Sequence, residues 1–356
     1  MHKRLRRIAV ILTIVAASVA GAGFAQSVRA ETTVHVGLTN STTDAPFFIA
    51  EEKGYFKEAG LHAEFVPFAS AAKMVPSLGI GELDAAGGAA SSALYNAVER
   101  GIDIKVIADK AHHQSDFDHA GLVVRKDLID GGKFKSYSDL RGLRVAVSGK
   151  GSSDESVLNE ALKAGGLKWG DVTVEYMGFA EQPAAYANGA IDAGITAEPA
   201  LTTVVKAGTG VLFARVGAFY PMQQGGVLIY GVNFLDHGRD VGEKFVEAYI
   251  RAVRFYNDAI LNGTLTGPTA PEVISILTKY TPIKDPNFFR ATTPPAINPD
   301  GVLNLEGMRK DWEFFKDMKE IDGTVPVDRV VDLSVVKDAL KVLGPYHPIK
   351  SSQITR

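Results

Sequence analysis

The chain states one ordered set of elements twice, about 110 residues apart, which restricts it to folds built from two similar units. In the first copy a valine-rich strand (Val34, Val36) runs into the polar loop Asn40-Ser41-Thr42-Thr43-Asp44. A helical stretch ends at Ala59-Gly60-Leu61, a second strand carries Glu64 and Phe68, and Gly81-Glu82-Leu83-Asp84-Ala85 follows. In the second copy Val145 and Val147 run into Ser148-Gly149-Lys150-Gly151-Ser152-Ser153-Asp154. A helix then ends at Gly165-Gly166-Leu167, a strand carries Glu175 and Phe179, and Gly189-Ala190-Ile191-Asp192-Ala193 follows. Two βαβαβ units imply two lobes facing across a cleft, the usual seat of a small ligand.

The N-terminal segment and the composition lead to an expectation of export. Residues 1–30 read as a signal peptide: Met1 to Arg7 is basic, Ile8 to Phe24 is apolar, and Val28-Arg29-Ala30 fits the small-x-small cleavage rule. Cleavage after Ala25 is the alternative. The chain has no cysteine, which excludes disulfides, thiolate metal sites, a cysteine nucleophile and a lipoprotein anchor. A periplasmic location follows as the expectation. A net charge of -3 with 22% charged residues gives no footprint for nucleic acid.

Apolar strands alternate with amphipathic helices through most of the remaining chain, the pattern of an α/β protein. Two strand-like segments lie outside the repeat, Gly121 to Asp127 and Gly226 to Val232. Their positions suit an outbound and a returning strand that cross between lobes and act as a hinge. After Val232 the pattern turns helical. Phe245, Tyr249, Ala252, Tyr256 and Ile260 make one face of a helix over 242–262, and Leu303 to Ile321 and Asp332 to Leu343 read the same way, with Asp332 as N-cap. A proline-rich loop, Pro282 to Pro299, lies between. The expected division is lobe one at 31–120 and 232–348, lobe two at 121–231, and a loose tail at 349–356.

Ligands of open α/β sheets sit at the carboxyl ends of strands, beside helix N-termini. Four loops satisfy that: Asn40 to Asp44, Gly87 to Ser92, Ser148 to Ser153 and Thr196 to Pro199. Hydroxyls beside glycines expose N–H and O–H donors that favour an anion or a neutral polar group. Plain helix capping by the same serines is the competing account. Gly149-x-Gly151 lacks the third glycine of a dinucleotide fingerprint, and Lys150 stands in the wrong place for a P-loop.

Three of the chain's eight histidines fall within Lys110 to His119. Imidazoles and carboxylates there could hold a metal. Adjacent His112 and His113, however, project in different directions in most backbones, so no metal is expected; ligand contact near the hinge competes with a plain polar surface loop. Glu198 is placed in the cleft, where it could accept from a ligand donor or pair with Lys110. Phe47, Phe48, Phe219 and Tyr220 could stack on a flat ligand, with core packing as the commoner fate of such residues. The expected ligand contacts are Asn40, Ser41, Thr42, Phe47, Ser91, Ser92, His112, His113, Ser152, Ser153 and Glu198. No catalytic residue and no cofactor is expected.

The chain resembles the periplasmic substrate-binding proteins of ABC importers in the nitrate, sulfonate and taurine group, which also contains thiamine-pyrimidine binding proteins. The matching segments are Ala45-Pro46-Phe47-Phe48-Ile49-Ala50, Lys53-Gly54-Tyr55-Phe56-Lys57-Glu58-Ala59-Gly60-Leu61, Gly81 to Ala85, Asp139 to Val147 and Glu198-Pro199. The resemblance implies a type II periplasmic-binding-protein fold, each lobe a mixed sheet flanked by helices, joined by two crossing hinge strands. It also implies ligand contacts from the four loops, a small-molecule solute, a membrane permease with its ATPase as partner, and a monomer. The cysteine-rich motif of the related pyrimidine synthases is missing, and the four loops carry no arginine for a sulfonate. The reading that follows is capture of a small organic anion, carboxylate or sulfonate, aromatic ones included. The rivals are a periplasmic enzyme using Glu198 with His112 and His113, a pyrimidine-binding protein, and a sensor docking on a membrane receptor.

Overall fold

The computed structural model describes residues 31–114 and 117–349. The expected signal segment 1–30, Ser115 and Asp116 of the histidine loop, and the tail from 350 onward lie outside the described residues. Among those described, no helix is long and apolar enough to cross a membrane.

Two five-stranded mixed sheets organise the chain. The first runs β2 (Leu61–Pro67), β1 (Thr32–Leu38), β3 (Ala85–Gly88), β10 (Gly226–Tyr230) and β4 (Lys105–Ala111). The second runs β7 (Thr173–Tyr176), β6 (Arg144–Val147), β8 (Ala193–Ala197), β5 (Ala120–Arg125) and β9 (Gly210–Arg215). In each, the first strand of the repeat lies parallel between the second and third. The fourth place is taken antiparallel, by β10 in the first sheet and β5 in the second. The α/β class and the two-sheet design expected of the resemblance are thus borne out. The strands expected to cross are instead wholly inside one sheet each. The crossings are the segments just before them, which pair through His113 N–H to Gln223 O (3.0 Å) and Met222 N–H to His113 O (3.1 Å).

The repeated aspartate explains itself. Asp84 accepts the backbone N–H of His35 at 2.8 Å, and Asp192 accepts that of Arg144 at 3.0 Å. In each case a residue just before the third strand ties down the first strand, at its middle in the first copy and at its start in the second. Val36 opposite Ala85 and Val145 opposite Ala193 show the same register. Without such an acceptor those half-buried N–H groups would go unpaired, at a cost of about 1–3 kcal/mol.

Alternate residues of β10 serve opposite faces of the first sheet, as in a strand covered on both sides. Leu228 and Tyr230 join one core, Val227 and Ile229 the other. The helix Arg239–Asn257 lays Phe245, Tyr249, Ala252, Val253 and Tyr256 into the first core, beside Phe47 and Phe56. Each such large side chain contributes about 1.5–3 kcal/mol when fully buried. The helix stops five residues before Asn262, because Asn262 and Gly263 both take positive φ (51° and 71°). That is the Asn-Gly hairpin turn, and it joins Ile260–Leu261 to Thr264–Leu265.

A helix unmarked in the sequence reading, Ala270–Tyr280, precedes the proline-rich loop, which itself contains the short helix Pro286–Ala291. The later helices span Leu305–Asp317 and Ser334–Leu343. Asp332 is not the N-cap residue, although its carboxylate does accept from Ser334 N–H at 2.8 Å. The helix Leu305–Asp317 also reaches the second repeat, through Phe314 against Trp169 and Lys310 to Glu160 at 2.7 Å.

Candidate functional site

The four loops pair across the gap between the sheets. Thr42 N–H meets Glu198 O at 3.1 Å, and Ser92 N–H meets Gly151 O at 3.0 Å. Between these contacts lies a cavity of about 60 Å³, walled by Ser41, Thr43, Ser70, Lys110, His113, His119, Ser152, Ser153 and Asp154 together with apolar groups including Phe179 and Val216. A water needs roughly 10–15 Å³ by this measure, so the space takes a group of only a few non-hydrogen atoms.

Lys110 supplies the cavity's ammonium group. It is buried and pairs with the equally buried Asp44 at 2.8 Å, and it also donates to Thr43 Oγ1. Burial pushes the Asp44 carboxyl above its ordinary value, while the Lys110 charge and hydrogen bond pull against that. The Lys110 stem passes close over Gly87, where a Cβ would come within 2.5 Å of the lysine Cε. The glycine at that loop is therefore a condition for delivering the charge.

The serines divide into two kinds. Ser41 accepts from Thr43 N–H at 3.3 Å, and Ser91 accepts from Leu94 N–H at 3.3 Å, so both hydroxyls cap local turns. Ser152 occupies the N-cap position of the helix Ser153–Ala164, yet its hydroxyl makes no cap bond. Its Oγ is buried at the cavity wall without a hydrogen-bond partner among the described residues. An oxygen left so forfeits the hydrogen bonds it had in water, and the nearby helix N-terminus offers positive potential. Asp154, in the first turn of that helix, accepts from Ser148 N–H at 3.1 Å, and burial raises its carboxyl above the usual range.

The histidine loop splits into separate assemblies. His112 bonds to Asp109 at 2.8 Å, and its backbone bridges to Ala296. Burial disfavours the charged His112 ring, but the Asp109 carboxylate outweighs it and holds the imidazole above its ordinary value. His113 bonds to Asp118 at 2.6 Å and stacks on His119, with ring centres 5.0 Å apart. Burial, followed by His113, drives His119 down to about 3, so its ring is neutral.

Of the residues expected from sequence, Ser41, His113, Ser152 and Ser153 come together at the cavity. Ser91 and Thr42 sit behind it, and Asn40 is exposed. Ser92 faces a separate shallow hollow with Lys150, Tyr176 and Glu320. Phe47 lies in the core, its ring 5.0 Å from that of Tyr249, and does not line the cavity. Glu198 does not pair with Lys110. Its carboxylate accepts from Thr202 N–H at 2.9 Å and Thr202 Oγ1 at 2.8 Å, because Asp44 already holds the lysine. Ser70, Asp154 and His119 line the cavity and are not among the expected ligand contacts, although His119 belongs to the histidine cluster read from sequence. Ser70 follows β2 in the first copy near where Phe179 follows β7 in the second, so the repeat itself carried a signal for it.

The chain is similar to proteins already known. A protein of Bacillus subtilis (strain 168) described as binding aliphatic sulfonates is 26% identical over 320 residues, 86% of this chain and 88% of its own length. Among solved structures, a ligand-binding component of an ABC-type import system from Staphylococcus aureus, with zinc bound, superposes with a TM-score of 0.70 at 18% identity. That match covers 87% of this chain and 99% of the other. The alkanesulfonate-binding protein SsuA from Xanthomonas axonopodis pv. citri, bound to MOPS, gives 0.68 at 16% identity, covering 85% and 99%. The fold is thus that of periplasmic binding proteins, and the NMT1/THI5-like family model matches residues 41–258, so the chain belongs to the NMT1/THI5-like family.

Proposed function

We propose that this protein is the solute-capturing component of an ABC importer, holding the compact anionic head of a carboxylate or sulfonate between its two lobes. The lobes are 31–120 with 232–348, and 121–231. They close on the solute, and a membrane permease reads the closed form. The observation that carries this reading is the buried Ser152 Oγ, without a hydrogen-bond partner among the described residues, at the N-terminus of a twelve-residue helix on the cavity wall. Lys110 adds positive charge from the opposite sheet. The likeness to the Bacillus subtilis protein described as binding sulfonates supports the same class. The small cavity favours a compact head over a flat ring lying inside it. The rival enzymatic scheme is weakened, since Glu198 is held by Thr202 and does not line the cavity, where His113 stands without it.

Calorimetric titration of the purified protein with sulfonates, carboxylates, nitrate and pyrimidines tests the proposal. One anion class is expected to bind one to one and to be recovered unchanged. At 100-fold above its dissociation constant it should stabilise the fold by about 2.7 kcal/mol. Binding of pyrimidines alone, or consumption of the ligand, would overturn it.

A further inference from the structure

We propose that His113, Asp118 and His119 form a binding site for a divalent transition-metal ion such as zinc, on the wall of the cavity. One nitrogen of each imidazole and one carboxylate oxygen of Asp118 lie within 4.8 Å of one another, and all three residues are buried. Two imidazoles and a carboxylate are a ligand set that zinc takes at about 2.0–2.2 Å, with a further position left open. Tetrahedral bonds of that length set ligand atoms about 3.3 Å apart. The separations of His113 Nδ1 and His119 Nδ1 from Asp118 Oδ1, 2.6 and 3.6 Å, bracket that value.

Hydrogen bonding among the described residues accounts for His113 and Asp118 but not for His119. His113 Nδ1 is hydrogen-bonded to Asp118, but His119 Nδ1 has no hydrogen-bond partner among the described residues and stands too far from the Asp118 oxygen to make one there. The carboxylate is fixed from behind by the backbone. Gly217 N–H reaches Oδ2 at 2.7 Å, and Ala120 N–H reaches Oδ1 at 3.2 Å. Ligands oriented by such outer bonds are the usual design of a metal site. The neighbouring Lys110 charge is offset by Asp44, so it does not bar a cation. Both imidazoles line the cavity, so an ion there would leave a net positive charge facing it. The site depends on none of the arguments for the solute.

The test is zinc titration of the chelator-stripped protein against a competing chromophoric chelator, with cobalt(II) as a spectroscopic probe. One zinc per chain is expected, displacing the proton shared by His113 and Asp118, and cobalt should give the intense visible bands of a low-coordinate site. His119→Gln breaks no hydrogen bond of its Nδ1 and should weaken zinc at least tenfold. His62→Gln, at the exposed contact with Glu51, should leave it unchanged. Failure to retain zinc, or equal affinity in His119→Gln, overturns the site. Should that variant fold poorly, a weak cobalt spectrum of the six-coordinate aquo type in the unaltered protein overturns it equally.

Discussion

Ser92 donates its backbone N–H to the carbonyl of Gly151 at 3.0 Å, so the loop ending the first repeat rests on the glycine-rich loop of the second. Gly151 takes a φ of +69°, and a Cβ there would fall on the Ser92 hydroxyl. Gly151→Ala therefore opposes closure twice, by its backbone and by its side chain. The backbone part alone costs about 1–2 kcal/mol. An anion found by calorimetry should bind the variant about tenfold more weakly, since 1.4 kcal/mol is a factor of ten. Small-angle scattering should show it more extended than the unaltered protein at the same anion concentration. Equal affinity and equal dimensions would mean that this contact does not take part in closing.

Lys110 and Asp44 are a buried pair, and removing one partner strands the other. Lys110→Met should destabilise the fold by about 3–5 kcal/mol in urea unfolding. The double variant with Asp44→Asn should recover most of that loss, because no uncompensated charge remains. Anion affinity should stay low in both. A double variant that regains affinity along with stability would show that the ammonium group does not hold the solute.

How much of this was legible beforehand depends on how local the signal was. The repeat, written in Val34, Val145, Asp84 and Asp192, is set by strand register and burial, and it led to two sheets and to the four loops. An apolar period that runs through Ile260 masks the Asn262-Gly263 turn, so the pattern carries the helix past its actual end at Asn257. Site details needed tertiary contacts. Nothing near Lys110 in sequence says that Asp44 will hold it, nor that Glu198 will turn to Thr202. The histidine loop shows the limit most clearly. Adjacent His112 and His113 draw the eye, while the pair that meets in space is His113 with His119, a tertiary contact that periodicity does not describe.

The serines separate capping from binding. Ser91→Ala removes a cap and should cost about 1 kcal/mol of stability, with anion affinity little changed. Ser152→Ala removes a hydroxyl that has no protein partner, so the ligand-free melting temperature should hold or rise slightly. Its anion affinity should fall by about 0.5–1.5 kcal/mol, the net worth of one hydrogen bond. Thermal melts and calorimetry on the two variants give a crossed pattern if this is right. A stability loss in Ser152→Ala with affinity intact would return that serine to the caps.

Glu155 and Glu320 bring two carboxyls together where the repeats meet. Glu155 accepts from Gly151 N–H at 2.5 Å and from Tyr176 Oη at 2.8 Å, while Glu320 follows the helix Leu305–Asp317 and borders the hollow beside Lys150 and Lys319. Burial, and then the charge of Glu320, push Glu155 up to about 7; Lys150 acts on the Glu320 side. A carboxyl with a raised folded pKa contributes stability that is fully present below its unfolded value near 4.5 and is lost as pH rises through about 7. Glu320→Gln removes the like charge and should let Glu155 titrate closer to its ordinary value. Asp311, pushed up to about 7 by burial, titrates in both proteins and cancels in the difference. The melting temperature of the variant minus that of the unaltered protein should therefore be near zero at pH 4.5 and grow more positive through pH 7. Parallel melting curves from pH 4.5 to 8 would show that the two carboxyls do not share a proton.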